Sequence, residues 1–139
     1  GLIKFDMNGK HEVIDKNKGL LTNYILSLAE DRKGNILMGT NAGGLSVLTP
    51  TGVLENYNIN GNDSGTIIFS VRTDGDAVWL STNLGLYYFK DGKFTVCRFD
   101  GLKTQKFFDL VDDTRDSYWL TPSIGAIKVL KSDLNAFLK

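Results

Sequence analysis

Ile36-Leu37-Met38-Gly39-Thr40-Asn41, Val78-Trp79-Leu80-Ser81-Thr82-Asn83 and Tyr118-Trp119-Leu120-Thr121-Pro122-Ser123 are three versions of one hexapeptide, 42 and then 40 residues apart. In each, three apolar residues run into a small or hydroxyl-bearing one, and a polar turn follows. Just downstream, Gly44-Leu45 matches Gly85-Leu86 and Gly125-Ala126, and Gly1-Leu2 stands one period earlier. Upstream, Ile25-Leu26-Ser27-Leu28, Ile68-Phe69-Ser70-Val71 and Phe107-Phe108-Asp109-Leu110 also coincide once the first turn is allowed one extra residue. Self-similarity at a fixed period identifies repeat architectures, and a unit of about 40 residues is the length of one four-stranded propeller blade.

Each unit divides into short apolar, β-branched and aromatic runs separated by Gly, Asn and Asp, the composition of strands joined by tight turns. The first complete unit, 24–58, is predicted to hold strands at Tyr24 to Glu30, Asn35 to Thr40, Gly44 to Thr49 and Val53 to Asn58. The second, 66–99, places them at Thr66 to Thr73, Ala77 to Thr82, Gly85 to Lys90 and Lys93 to Phe99. The third, 107–139, supplies Phe107 to Asp112, Tyr118 to Thr121 and Gly125 to Leu130, then a short helix or frayed end over Ser132 to Lys139. Residues 1–15 read as the two outer strands of a preceding blade. The expected fold is all-β, a β-propeller fragment of about three four-stranded antiparallel blades. The first and second strands of each unit are apolar on both faces, as expected if neighbouring blades cover the middle of every sheet.

Composition narrows the partners. Sixteen basic residues balance sixteen acidic ones without a block of like charge, so nucleic acid and membrane surfaces are not expected partners. Cys97 is the single cysteine and cannot form an internal disulfide. The longest apolar runs, such as Tyr24 to Ala29, fall far short of a membrane span, and no signal peptide opens the sequence at Gly1. Any anchor or export signal is expected outside this sequence.

The stretch Gly19-Leu20-Leu21-Thr22-Asn23-Tyr24-Ile25-Leu26-Ser27-Leu28-Ala29-Glu30-Asp31-Arg32-Lys33-Gly34-Asn35-Ile36-Leu37-Met38-Gly39-Thr40-Asn41-Ala42-Gly43-Gly44-Leu45 resembles the two-component regulator propeller repeat. That family has a Glu-Asp pair, a Gly-led turn, a Trp between two apolar residues, Gly-Thr and a final Gly-Gly-Leu. This first copy carries Leu37 where the family usually has Trp, and Trp79 and Trp119 restore it in the next two. The ending from Gly125 to Phe137 looks like a late blade in which a short helical insertion precedes the outermost strand. The resemblance implies a periplasmic sensor region of a bacterial hybrid histidine kinase or related protein, including some diguanylate cyclases, with the output domain elsewhere.

No catalytic or metal constellation emerges. The carboxylates of Asp31-Arg32-Lys33-Gly34-Asn35, Asp74-Gly75-Asp76 and Asp112-Asp113-Thr114-Arg115-Asp116 lack the alternate spacing and closing Glu of a calcium loop, and they suit tight turns. His11 has no co-ligand or nucleophile motif beside it. Gly43-Gly44 leads into a strand, not a helix, and so lacks the means to hold a phosphate. No cofactor is expected.

Strand alternation puts the connections between second and third strands, and those between blades, on one end of the propeller. Asn23, Tyr24, Thr40, Asn41, Thr82, Asn83, Lys106, Phe107 and Ser123 are therefore expected around the channel mouth as a candidate ligand surface, where turn closure by the polar residues is the competing role. The ligand would be a glycan or other small-molecule signal. Three functions remain in view. The leading one is a non-catalytic sensor segment of a two-component protein; the second is a protein-interaction scaffold, since a fold fixes no function. The third is a lyase of the streptogramin-inactivating type, which would need a His or carboxylate set with a metal. Propellers close with roughly 4 to 8 blades. The terminal sheets are therefore expected to expose apolar faces that favour the rest of the parent propeller or self-association.

Overall fold

The computed structural model describes residues 1–61 and 65–136. A leading hairpin, β1 (Leu2–Phe5) and β2 (His11–Ile14), is followed by a 3-10 turn at Lys16–Lys18 that the sequence reading did not anticipate. Asp15 caps this turn by accepting a hydrogen bond from the backbone of Asn17. The first full sheet holds β3 (Ile25–Glu30), β4 (Ile36–Thr40), β5 (Leu45–Leu48) and β6 (Leu54–Tyr57). The second holds β7 (Ile68–Asp74), β8 (Ala77–Thr82), β9 (Leu86–Lys90) and β10 (Lys93–Cys97). The third holds β11 (Phe107–Asp112), β12 (Ser117–Pro122) and β13 (Ile127–Leu130), and α1 (Lys131–Asn135) follows it directly. All pairings are antiparallel, and strands lie in each sheet in sequence order, the up-and-down arrangement of a propeller blade. The expected end over Ser132 to Lys139 is thus helical as far as Asn135, and residues 137–139 lie outside the described residues.

Three glycines set the entry to the third strands. Gly44, Gly85 and Gly125 stand just before β5, β9 and β13 with φ of 71°, 156° and 138°. Side-chain-bearing residues rarely adopt these angles, so glycine recurs there at the repeat period.

The core is a set of layers between successive sheets. Ile14 of the hairpin and Leu20 meet Met38 and Leu48. Leu37 and Val47 of the first sheet meet Ile68, Val71, Val78 and Leu80 of the second. Trp79 and Tyr88 of the second meet Leu110, Tyr118 and Leu120 of the third, with Leu134 of α1 fully buried among them. Alternate residues of a strand face opposite ways, so each central strand feeds two layers.

The inner sheet is covered on both sides, and the two terminal sheets expose apolar side chains, as expected of a run of blades short of a closed ring. Leu28, Val71 and Leu110 are equivalent, each opposite an inward residue of the next strand (Met38, Leu80 and Leu120). Val71 and Leu110 are 1% and 2% exposed, whereas Leu28 is 53% exposed, because the leading hairpin brings no inner strands to cover it. Likewise Leu37 and Trp79 are buried between sheets while Trp119, on the open side of the third sheet, is 45% exposed.

Close packing generates two stability predictions. A Cβ at Gly39 would stand 2.5 Å from Ser27 Oγ and 2.8 Å from Ile68 Cγ2. Gly39→Ala should therefore cost about 1–3 kcal/mol by overpacking, read as a lowered midpoint in urea. Leu134→Ala should cost about 2–5 kcal/mol, and a midpoint equal to that of the parent chain would show that α1 is not part of the cooperative unit.

Candidate functional site

The end of the sheets that carries the second-to-third-strand turns is built by a repeated hydrogen bond. The backbone N–H groups of Asn41, Asn83 and Ser123 donate to the carbonyls of Tyr24, Ile67 and Lys106 at 2.9, 3.2 and 3.0 Å. Each turn is thereby tied to the start of the first strand in its own sheet. The neighbouring sheet joins in, since Ala42 donates to the Thr66 carbonyl at 2.8 Å.

Most of the polar side chains expected at the rim are occupied in this stitching. Thr40 and Thr82 are fully buried and donate their hydroxyls to the carbonyls of Gly44 and Gly85 at 2.7 and 2.8 Å. Thr82 Oγ1 also accepts from the backbone of Leu84 and Gly85. Asn83 accepts from the Ile67 N–H and donates to the Gly65 carbonyl. Asn23 accepts from the Lys16 N–H at 2.9 Å, and the hydroxyls of Ser123 and Thr104 bond to each other at 2.6 Å. Phe107 is buried and packs its ring 5.6 Å from that of Phe99. The expected placement of Thr40, Thr82 and Phe107 on the surface is therefore corrected. Their side chains close the turns and fill the layer between sheets. Tyr24, 72% exposed, and Lys106 present side chains to solvent, as do Asn41 and, beside their local bonds, Asn23 and Ser123.

A feature of the first strands escaped the sequence reading. The register shifts between Ile25 and Ser27, between Ile68 and Ser70, and between Phe107 and Leu110, so each first strand carries a bulge. Bulges re-aim side chains. Those at these positions are Leu26, Phe69 and Phe108, and the Phe69 and Phe108 rings lie 5.1 Å apart across adjacent sheets. Lys106 Nζ stands 6.0 Å from the Phe108 ring. The aromatic repetition at 69 and 108 was available in the sequence, but its meaning depends on a register that only pairing fixes.

At the opposite end the turn carboxylates do local work. Asp31 accepts from the backbone of Lys33 and Asn35, each at 2.9 Å, and Asp113 accepts from that of Arg115 and Ser117. These amide bonds, with Lys128 nearby, hold the Asp113 carboxyl below its ordinary range. Between the second and third sheets Tyr118 donates its hydroxyl to Asp74, and Lys131 Nζ reaches Asp112 at 2.7 Å and Asp74 at 3.4 Å. The Tyr118 bond, assisted by Lys131, lowers the Asp74 pKa, while burial and the facing carboxylate raise that of Tyr118. Arg72 grips Asp109 with two bonds of 2.9 and 2.8 Å. Both groups tie sheet to sheet. His11 is exposed beside Phe5, and among the described residues no three His, Cys, Asp or Glu side chains gather as a metal site.

Residues 19–42 match the family model described as two component regulator propeller. This segment is a two component regulator propeller repeat. Solved structures extend the likeness, as one of fold, over nearly all of this chain. The extracellular domain assigned to the hybrid two component system BT4673 of B. thetaiotaomicron is 22% identical with a TM-score of 0.74, over 92% of this chain and 18% of that one. The corresponding domain of BT3049 from the same organism is 23% identical with a TM-score of 0.69, over 94% of this chain and 20% of that one. PorZ, an essential surface component of the type-IX secretion system of Porphyromonas gingivalis, is 16% identical with a TM-score of 0.63, over 91% of this chain and 19% of that one. This propeller segment thus spans about a fifth of the length of the structures it matches. No curated protein sequence matches it.

Cys97, at the end of β10, illustrates how fully the layers exclude water. It is buried, and that burial pushes its thiol up to about 12. Since the thiolate is the reactive form, native chain should react with a thiol reagent at neutral pH at least about a hundredfold more slowly than urea-unfolded chain. Equal rates would mean that the layer between the second and third sheets opens readily.

Proposed function

We propose that this chain is a non-catalytic sensing segment of the extracytoplasmic, periplasmic part of a bacterial two-component signalling protein. The observation that carries the reading is the set of in-phase repeats, one of which matches the two component regulator propeller model at residues 19–42. The extracellular domains of BT4673 and BT3049 lend it context through their shared fold. The signal would be a glycan or other small molecule bound at the channel mouth. Lys106 there supplies a cationic group beside Phe108, whose ring meets Phe69, and Tyr24 adds an exposed hydroxyl at the same end of the sheets, polar groups with apolar surface of the kind suited to ligand orientation. The bare faces at Leu28 and Trp119 would be covered by neighbouring blades of the parent propeller.

A second reading, a propeller scaffold for protein association, is favoured by the likeness to PorZ, whose described role is in secretion. The two separate in the full-length protein. With abundance matched, the combined Tyr24→Ala, Lys106→Ala and Phe108→Ala variant should lose transcriptional response to its inducing glycan while a reporter enzyme fused after the propeller remains periplasmic. An unchanged response would remove the rim from the sensing role. A cytoplasmic reporter would overturn the cellular placement.

A further inference from the structure

The departure at Leu37 has a structural result. Strand pairing places Leu37 beside Val47 on one side of the first seam, with Val78 across it; the equivalent residues of the second seam are Trp79, Tyr88 and Tyr118. Three aliphatic side chains thus occupy the positions that three aromatic ones fill one seam later. The aromatic trio packs closely, with Trp79 5.3 Å from Tyr88 and 5.8 Å from Tyr118 between ring centroids. Tyr118, Asp74 and Lys131 then clamp that seam at its outer end.

A cleft of about 430 Å³ lies at the end opposite the channel rim, between two complete sheets. Leu37, Val47, Val78 and Phe89 form its apolar floor, and Tyr57 meets Phe89 edge-on at 5.0 Å. Its mouth carries both signs of charge. Asp31 is engaged by turn amides, Glu55 accepts the Tyr57 hydroxyl, and Arg32 lies 3.7 Å from Asp76. Lys33, Lys90 and Asp91 complete the charged lining and form no ion pair among the described residues. Uncommitted cations and an uncommitted carboxylate around an apolar floor match a ligand with both charges on its head and a hydrophobic body. A site of this volume accommodates a small molecule.

We propose that the first seam is a binding site for a zwitterion of the amino-acid type with a large apolar side chain, in which Leu37 lines the position that the next two repeats fill with Trp. This site is separate from the rim and independent of the sensing reading given above. The body of the ligand packs on Leu37, Val47, Val78 and Phe89. Its carboxylate faces Lys33 and Lys90, and its ammonium faces Asp91.

The test is titration of the 139-residue chain with L-phenylalanine, followed by amide chemical shifts, with phenylacetate and phenethylamine as single-charge controls. Saturable shifts should centre on Val47, Val78 and Phe89 and spare Val129 of the third sheet. Leu37→Trp, which copies the second seam, should weaken binding at least about tenfold, as should Val47→Tyr. Thermal unfolding of both variants reports whether they fold, and the shift map of the parent chain decides the matter if they do not. Absence of shifts up to about 10 mM, a range that still detects millimolar binding, would overturn the proposal. So would full binding by a folded Leu37→Trp chain. Equal binding of either single-charge control would overturn the zwitterionic assignment.

Discussion

Packing between successive sheets is the constraint on which the rest depends. A four-stranded sheet of this length has two apolar faces and little surface to spare, and by itself it leaves both in water. Stacking the sheets around one axis buries Leu37 against Val71 and Leu80, then Trp79 against Leu110 and Leu120, so each sheet provides one wall of two layers. The cost of an unfilled layer is visible at the ends, where Leu28 and Trp119 remain exposed in positions whose repeats are buried. Stability is therefore a property of neighbours, and the chemistry of each seam is set by pairs of residues some forty positions apart.

That arrangement also explains why the two seams differ in character. The second is closed by aromatic side chains and by bonds that cross it: Arg72 to Asp109, Tyr118 to Asp74, and Lys131 to the same carboxylate. The first has aliphatic residues at the matching places and is bridged at its mouth by the long, exposed contact of Arg32 with Asp76, a kind of pair that contributes little. A repeat fold tolerates such variation because each seam needs only enough apolar contact to hold. The rim is different: its turns are tied by the same backbone bond in all three sheets, which frees Tyr24 and Lys106 to vary without altering the scaffold.

Much of this architecture was legible in the residues. The hexapeptide around Trp79 and its copies located the second strands, and the structural strands Ile36–Thr40, Ala77–Thr82 and Ser117–Pro122 fall on them within a few residues. Glycines at 44, 85 and 125 were readable as the starts of the third strands, which begin one or two residues later, after a positive φ that excludes most side chains. The candidate site was less legible. Thr40, Thr82 and Phe107 belong to residue types common at binding surfaces, yet whether a hydroxyl or ring points to solvent or into a layer depends on the pleat and on the adjacent sheet.

The sequence by itself determined the period, the strand order within each sheet and the turns that join them. All of these are local consequences of strand-forming residues, glycine conformations and a repeat of about 40 residues. Only the tertiary structure decided which face of each strand is covered, where the first strands bulge, and how much room remains between sheets. Those properties arise from contacts between residues distant in the chain. Leu37 was visible as a departure from the repeat, but that it lines a cleft together with Val47 and Val78, from two other strands, is decided by packing.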